Sequence, residues 1–288
     1  MRDDIFLASF TSPAGETVSW GVDGAHILRS IGGISGLTSE VATSRTPGQD
    51  GETWLAARLP MRLVTLDCAL CEASGGADRA QLMRVCDARA APGMLAVTAY
   101  GRTRRIPAYV DMAPAIIEDT SLDWLSYQVS FSCPSPFWQS MEDMSMELAT
   151  TSGGLRWPLK LPARFALVAA TRQHIVSNPG TAVCPVSMEF AGGAINPTLT
   201  NVTTGETLRV RRQVPASATL VIDTTLGHKR AYLRDNETGA ITDAMGYLDL
   251  NSVFWSLQPG DNSVAYDADD GAQAARVSIR WRPLFNSF

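Results

Sequence analysis

Ala275-Arg-Val-Ser-Ile-Arg-Trp281 alternates apolar and polar side chains without a break. Val277, Ile279 and Trp281 therefore share one face of an extended strand. Outward from this stretch, most of the chain reads in the same way, as short segments bounded by Gly, Pro, Asn or Asp. Expected strands are Ile5–Phe10, Val18–Val22, Arg58–Leu70, Met94–Tyr100, Arg104–Met112, Asp123–Ser132, Val183–Phe190, Thr198–Asn201, Leu208–Gln213, Thr219–Asp223, Arg230–Arg234, Ser263–Tyr266 and Ala275–Trp281. The fold class is mainly β.

One helix interrupts the pattern. Gly76 to Ala91 lacks internal Gly or Pro, and Leu82, Val85, Cys86 and Arg89 follow a 3.6-residue spacing. Asp78 supplies an early acidic residue and Pro92-Gly93 a stop, which predicts a helix over about 77–91. A boundary falls near 134–158, where Cys133-Pro-Ser-Pro-Phe-Trp138 closes a strand and a Met-, Ser- and Thr-rich stretch without strong period follows. The expected division is an N-terminal β domain with one helix over 1–139 and a purely β domain over 140–288.

The chain has 288 residues, enough for two ordinary domains. Hydrophobic residues make up 45%, ample for two cores, and charged residues only 18%, a composition that suits surfaces covered by partners. Net charge is −5, which argues against a general nucleic-acid binder because such proteins need a basic stripe. Among the basic residues only Lys160 and Lys229 are Lys; the rest are Arg, the side chain better suited to desolvated planar contacts. Met1 to Phe10 has no basic stretch leading into a long apolar run, so no secretory signal is expected. Runs such as Phe165 to Ala170 fall far short of the roughly 20 residues needed to cross a bilayer.

Side chains that could carry chemistry are dispersed. Cys68, Cys71, Cys86, Cys133 and Cys184 are odd in number and irregularly spaced, unlike a disulfide framework. Cys68 and Cys71 lie three apart on an expected strand, where they point to opposite faces and could not share a metal ion. His26, His174 and His228 are isolated from one another in sequence. Gly32-Gly-Ile-Ser-Gly36 lacks the Lys and Ser/Thr of a phosphate-binding loop, and Ser35 lacks the second Gly of a nucleophile elbow, so a flexible loop is expected there. Asp269-Asp270-Gly271 reads as a hairpin turn. No cofactor, metal or catalytic residue is predicted, and the chain is not expected to be an enzyme.

What does stand out is turn chemistry. Gly48 and Gly51, flanking Asp50, permit positive φ in a tight loop. Pro259-Gly260 is a turn pair that Asn262 could cap through its side chain. Most of the seven Trp sit on strand patterns, but Trp54 and Trp138 lie in loop-like contexts. Because exposed Trp often anchors interfaces, these two are the candidate interface residues.

Taken in order, several of these stretches resemble the distal tail protein family of siphophages. Arg45-Thr-Pro-Gly-Gln-Asp-Gly51, followed by Trp54 and an apolar strand, is similar to that family's Pro-Gly-x-Asp-Gly loop, and Cys133-Pro-Ser-Pro-Phe-Trp138 to its Pro-Phe-Trp exit. Ile175-Val-Ser-Asn-Pro-Gly180 with Cys184 to Phe190, Asn196 to Asn201, Leu220 to Thr224, and Trp255 to Asn262 complete a series covering about 45–285. The resemblance implies an N-terminal domain that closes a hexameric ring at the end of the tail tube and a C-terminal galectin-like β-sandwich. It implies as partners other copies of the chain, the major tail tube protein, the tail-tip hub or tail-associated lysin and, in some relatives, receptor-binding proteins. The implied location is the virion tail tip, after assembly in the host cytoplasm, without nucleic-acid or membrane binding. The His-Asn-Arg constellation of a galectin sugar site is not reproduced around His174 or His228, so the sandwich reads as a scaffold. A carbohydrate-binding adhesin module is the alternative, and a β-class hydrolase with paired carboxylates the third reading.

Overall fold

The computed structural model describes residues 6–71, 76–117, 124–148, 173–270 and 275–288. They form two compact units, Met1–Met141 together with Leu284–Phe288, and Glu142–Pro283. The division expected at 139/140 gave the C-terminal tail to the second domain; instead the last five residues return to the first unit, so the second is an insertion in it.

The first unit contains β1 (Leu7–Thr11), β2 (Thr17–Trp20), β3 (His26–Gly32), β4 (Glu40–Ser44), β5 (Thr53–Arg58), β6 (Arg62–Cys71), α1 (Gly76–Val85), β7 (Gly93–Ala99), β8 (Arg102–Ile116), β9 (Trp124–Cys133) and β10 (Trp138–Ser140). The second contains β11 (Met144–Leu148), β12 (Gln173–Asn178), β13 (Cys184–Ala191), β14 (Thr198–Asn201), β15 (Glu206–Arg209), β16 (Ala218–Asp223), β17 (Arg230–Asp235), β18 (Ile241–Asp243), β19 (Ser256–Leu257), β20 (Gly260–Asp267) and β21 (Arg276–Trp281). β22 (Leu284–Phe285) closes the chain, back in the first unit. The protein is mainly β with one described helix, as the alternation predicts.

In the first unit the strand order is β2-β1-β7-β8-β9-β6-β3. The sheet rolls up until its ends meet: Gly21, just past β2, bridges Ile27 of β3, with the Leu28 N–H donating to the Gly21 carbonyl at 2.7 Å. Inward positions at period two fill the interior, with Val64, Leu66 and Cys68 of β6 facing Phe10, Trp20 and Phe131. The Phe10 and Phe131 rings lie 4.8 Å apart. α1 adds Leu82 and Val85 to this core but stops at Val85, short of the expected Ala91. Asp87 explains the early end. Its carboxylate accepts the Arg89 N–H at 2.9 Å and the Arg89 guanidinium, a local turn that competes with the helical bond. The expected strand Arg58–Leu70 is two strands, because Pro60 has no N–H to continue a ladder.

Arg62 ties this unit together. Fully buried, it donates from Nε to the Pro136 carbonyl (2.8 Å), from Nη1 to the carbonyls of Gly33 and Ser35 (both 2.6 Å), and from Nη2 to that of Asn286 (2.5 Å). The Gly32–Gly36 stretch, expected as a flexible loop, is thus pinned at two carbonyls. Gly33 has φ +80° there, and a Cβ would lie 1.9 Å from the Leu63 carbonyl oxygen, so no other residue fits. The C-terminal tail is clasped at a second point. The Arg104 guanidinium stacks 3.7 Å from the Phe285 ring and donates to the Ser287 carbonyl, while Phe288 meets Trp138 edge-on at 4.9 Å.

The second unit is a β-sandwich. One sheet runs β11-β21-β13-β16-β17-β18, with β19 beside β13; the other runs β12-β20-β14-β15. Phe190 of β13 and Tyr266 of β20 pack across the gap with ring centroids 6.3 Å apart. β11 gives the Met-, Ser- and Thr-rich stretch after Trp138 a regular strand: Met144 to Leu148 pairs with β21 from Met144↔Trp281 to Leu148↔Val277, on the segment Ala275–Trp281. The rest of that stretch, from 149 on, lies outside the described residues. Three Asn side chains, all buried, hold the turns. Asn178 caps the Pro-Gly turn by accepting the Gly180 N–H (3.0 Å), and Asn201 accepts the Thr203 N–H (3.1 Å). Asn262 both accepts from the Gln258 N–H (2.9 Å) and donates to the Gln258 and Gly260 carbonyls (2.8 and 3.0 Å).

Two outcomes follow from this bonding. Arg62→Ala removes a fully buried side chain and the four hydrogen bonds by which it joins three stretches of chain, and urea denaturation of the full chain should show a loss of about 3 kcal/mol. Arg62→Lys should recover little of it, since an ammonium has three donors and no fork. Asn262→Ala should cost about 2–3 kcal/mol in the same measurement, because a backbone N–H and two carbonyls lose their partner.

Candidate protein-docking surface

Between β3 and β6 the chain leaves the rolled sheet as a separate two-stranded arm. β4 and β5 pair antiparallel from Glu40↔Arg58 to Ser44↔Thr53, with a bulge between Ala42 and Thr43 that increases local twist. Among the described residues these strands pair only with each other. The tip is organised by Gln49, whose N–H donates to the Thr46 carbonyl (3.0 Å) and whose side chain joins the Thr46 N–H (3.2 Å) to the Thr53 hydroxyl (3.1 Å). Gly48 and Gly51 both adopt φ +80° in this turn, and Asp50 is exposed beside them. At the base, Arg58 pairs with Glu40 at 2.8 Å, an exposed ion pair that contributes little to stability.

Every residue of β4 and β5 is exposed. An isolated two-stranded hairpin is at best marginally stable in water, so an arm of this kind normally gains its stability from a surface that covers it. Its side chains suit that role. Trp54 is 65% exposed, and Val41 and Leu55 are exposed with it. Leu55, Leu59, Met61 and Leu63 stand at alternate positions along an extended segment running from the arm into β6, all exposed. The opposite face of β6 carries Val64 and Leu66 into the core. The segment is therefore apolar on both faces, one covered by its own unit and one not. Exposed apolar stretches of this length mark interaction sites.

The comparisons with known proteins agree with a tail component. Residues 179–285 match the family model for the siphovirus-type tail component, C-terminal domain. Over the whole chain, the crystal structure of the Dit protein of phage SPP1, described as a paradigm of the hub adsorption apparatus in phages infecting Gram-positive hosts, superposes with a TM-score of 0.69. It covers 97% of this chain and 99% of that one at 14% identity. Chains of the phage P2 baseplate in its activated conformation, solved with Ca and with Sr, reach a TM-score of 0.50 at 7% identity, with 96% and 97% covered. No curated protein matches the sequence. Residues 179–285 thus resemble a siphovirus tail component, and the chain as a whole has the fold of a distal tail protein.

In this distal tail fold the two candidate Trp residues part company. Trp54 is on the exposed arm, whereas Trp138 is fully buried between the Arg62 guanidinium (5.6 Å) and the Phe288 ring, so it cannot serve as an exposed interface anchor. Pro259, Gly260 (φ +88°) and Asn262 form a turn of the second unit and hold β20 in place. Leu59, Met61 and Leu63 went unnoticed in sequence because Arg58–Leu70 reads as one core strand; the signal was the run of apolar residues at odd positions across Pro60. Asp269 is occupied structurally, accepting from Asn196 (2.7 Å) and pairing with Arg209 (3.0 Å). Gly271 of the expected Asp-Asp-Gly turn lies outside the described residues.

The buried titratable groups serve the core. Burial pushes the thiols of Cys68, Cys86, Cys133 and Cys184 up to about 12, which keeps them protonated and unreactive. Among the described residues no three His, Cys, Asp or Glu side chains are grouped to hold a metal ion. The Trp20 Nε1–H donates to the Tyr127 hydroxyl at 2.7 Å, and the same hydroxyl is hydrogen-bonded to His26 Nδ1 at 3.0 Å. Burial holds the His26 pKa below its ordinary 6.5, with the Asp78 carboxylate pulling the other way. As pH falls through 6.5, the unfolded chain takes up a proton at His26 that the folded chain does not. Stability should therefore be fully present above that pH and decline below it, and urea midpoints measured between pH 7.5 and 5 should show a slope that His26→Gln reduces.

Proposed function

We propose that this protein is the ring-forming adaptor of a siphophage tail tip. Six copies close through their N-terminal units, the tail tube stacks on one side of the ring and the tail-tip hub or tail-associated lysin on the other. The C-terminal sandwich offers attachment for receptor-binding proteins. The observation that carries this reading is the projecting arm at Glu40–Arg58, both of whose strands are exposed with Val41, Trp54 and Leu55 uncovered in the single chain. A chain whose function is to fit against copies of itself has a use for such an element. Closure of identical head-to-tail contacts gives a ring when the rotation completes a circle. The buried thiols and the neutral His26 support the same reading, since they contribute to packing and carry no exposed reactivity.

Native mass spectrometry of the purified chain tests it: a ring of about six subunits is expected. Trp54→Ala with Leu55→Ala should weaken subunit association about 30-fold or more, as for loss of an interface hot spot. Persistence of a monomer throughout a concentration series, with strong glycan binding by that monomer, would instead establish the adhesin reading.

A further inference from the structure

The first unit carries a hollow of about 340 Å³ on the outside of the rolled sheet, at the edge formed by β1, β2, β7 and the start of β8. Its floor follows from register. Ser19, Ser9 and Ala96 stand side by side on three neighbouring strands, and Leu7, Thr98 and Thr103 form the next row. Leu7 is the one large apolar residue in these rows, and it is exposed. A floor of Ala, Ser and Thr lets another backbone or an aromatic ring approach closely, between Leu7 and Asp23 and beside Arg105, the cross-strand partner of Ala96.

We propose that this hollow receives the arm of a second copy, with Trp54 seated on the Ser9–Ala96 floor. The proposal rests on the ring reading above and names the two surfaces that would meet. Three observations select the occupant. The first is location: the arm leaves β3 beyond Gly32, whereas the hollow lies toward the other end of that strand, where Gly21 bridges Ile27. At about 3.3 Å per residue, His26 to Gly32 separates the two by roughly 20 Å, and the arm's own exposure shows that it does not fold back onto the hollow. Donor and acceptor are thus different surfaces of one unit, as a head-to-tail contact requires. The second is area: a stable interface engages roughly 20–30 residues on each side. From Glu40 to Arg58 every residue but Gln49 is exposed, so one element supplies nearly that many. The third is shape, since a projecting indole on one surface faces a small-residue depression flanked by Leu7 on the other.

Two variants separate the surfaces. Trp54→Ala with Leu55→Ala removes the donor and keeps the hollow; Ala96→Trp fills the hollow and keeps the arm. Ala96 points outward from the core, and circular dichroism verifies that each variant is folded. Each alone should fail to form rings, with association at least about 30-fold weaker than wild type, and an equimolar mixture should yield a one-to-one pair by native mass spectrometry. As a check that does not depend on filling the hollow, a chain carrying Trp54→Cys and Ser19→Cys should give an intermolecular ladder on oxidation. A wild-type ring together with no pair from the mixture and no ladder, or a ring formed by Ala96→Trp, would overturn the hollow while leaving the ring intact. A wild-type chain that stays monomeric would overturn both.

Discussion

A buried guanidinium without a carboxylate holds the first unit together. Arg62 is satisfied by carbonyls from three stretches far apart in sequence: the loop after β3, the Pro136 segment before β10, and the C-terminal tail. A buried guanidinium must find acceptors, and its planar fork of five N–H groups can engage several carbonyls at once. The unit is thereby closed by its most distant residues, Asn286 and Phe288, and the whole second unit is accommodated between Met141 and Leu284. Chain order and spatial order differ here because one side chain recruits both ends.

Against that self-sufficient core, the arm is a contrast in the same unit. The rolled sheet covers its apolar face internally, with Phe10, Trp20 and Phe131 in mutual contact. The β4–β5 hairpin has two open edges and no interior. Where core residues secure the protomer, the arm, the Leu55–Leu63 stripe and the small-residue floor at Ser9 and Ala96 are surfaces whose free energy is unsettled in the isolated chain. A tail component fits this division: the fold supplies rigid units, and function resides in how exposed faces are matched.

Much of this was legible along the sequence. Alternation located β7, β13, β14, β16 and β21 closely, and the Asn and Gly residues of the turns fell where the backbone needs them. β3 was missed because Arg29 and Ser30 interrupt its apolar pattern and Gly32-Gly33 reads as a loop. β11 was missed because Met144-Ser-Met-Glu-Leu148 is short, and its stability comes from β21, more than 120 residues away. The helix was read too long because helical spacing continues through Arg89, whereas Asp87 offers the backbone a competing bond.

By itself, then, the sequence determined the class of fold and the faces of most strands, because alternation and turn geometry are properties of neighbouring residues. The fates of Trp54 and Trp138 were decided only in three dimensions. Both follow turn-rich segments, and nothing local separates them. Trp138 is covered by Arg62 and Phe288, which the fold brings from either direction along the chain, and Trp54 is left uncovered because none of the other described strands pairs with the arm. Burial depends on what arrives from elsewhere, and that is set by tertiary packing.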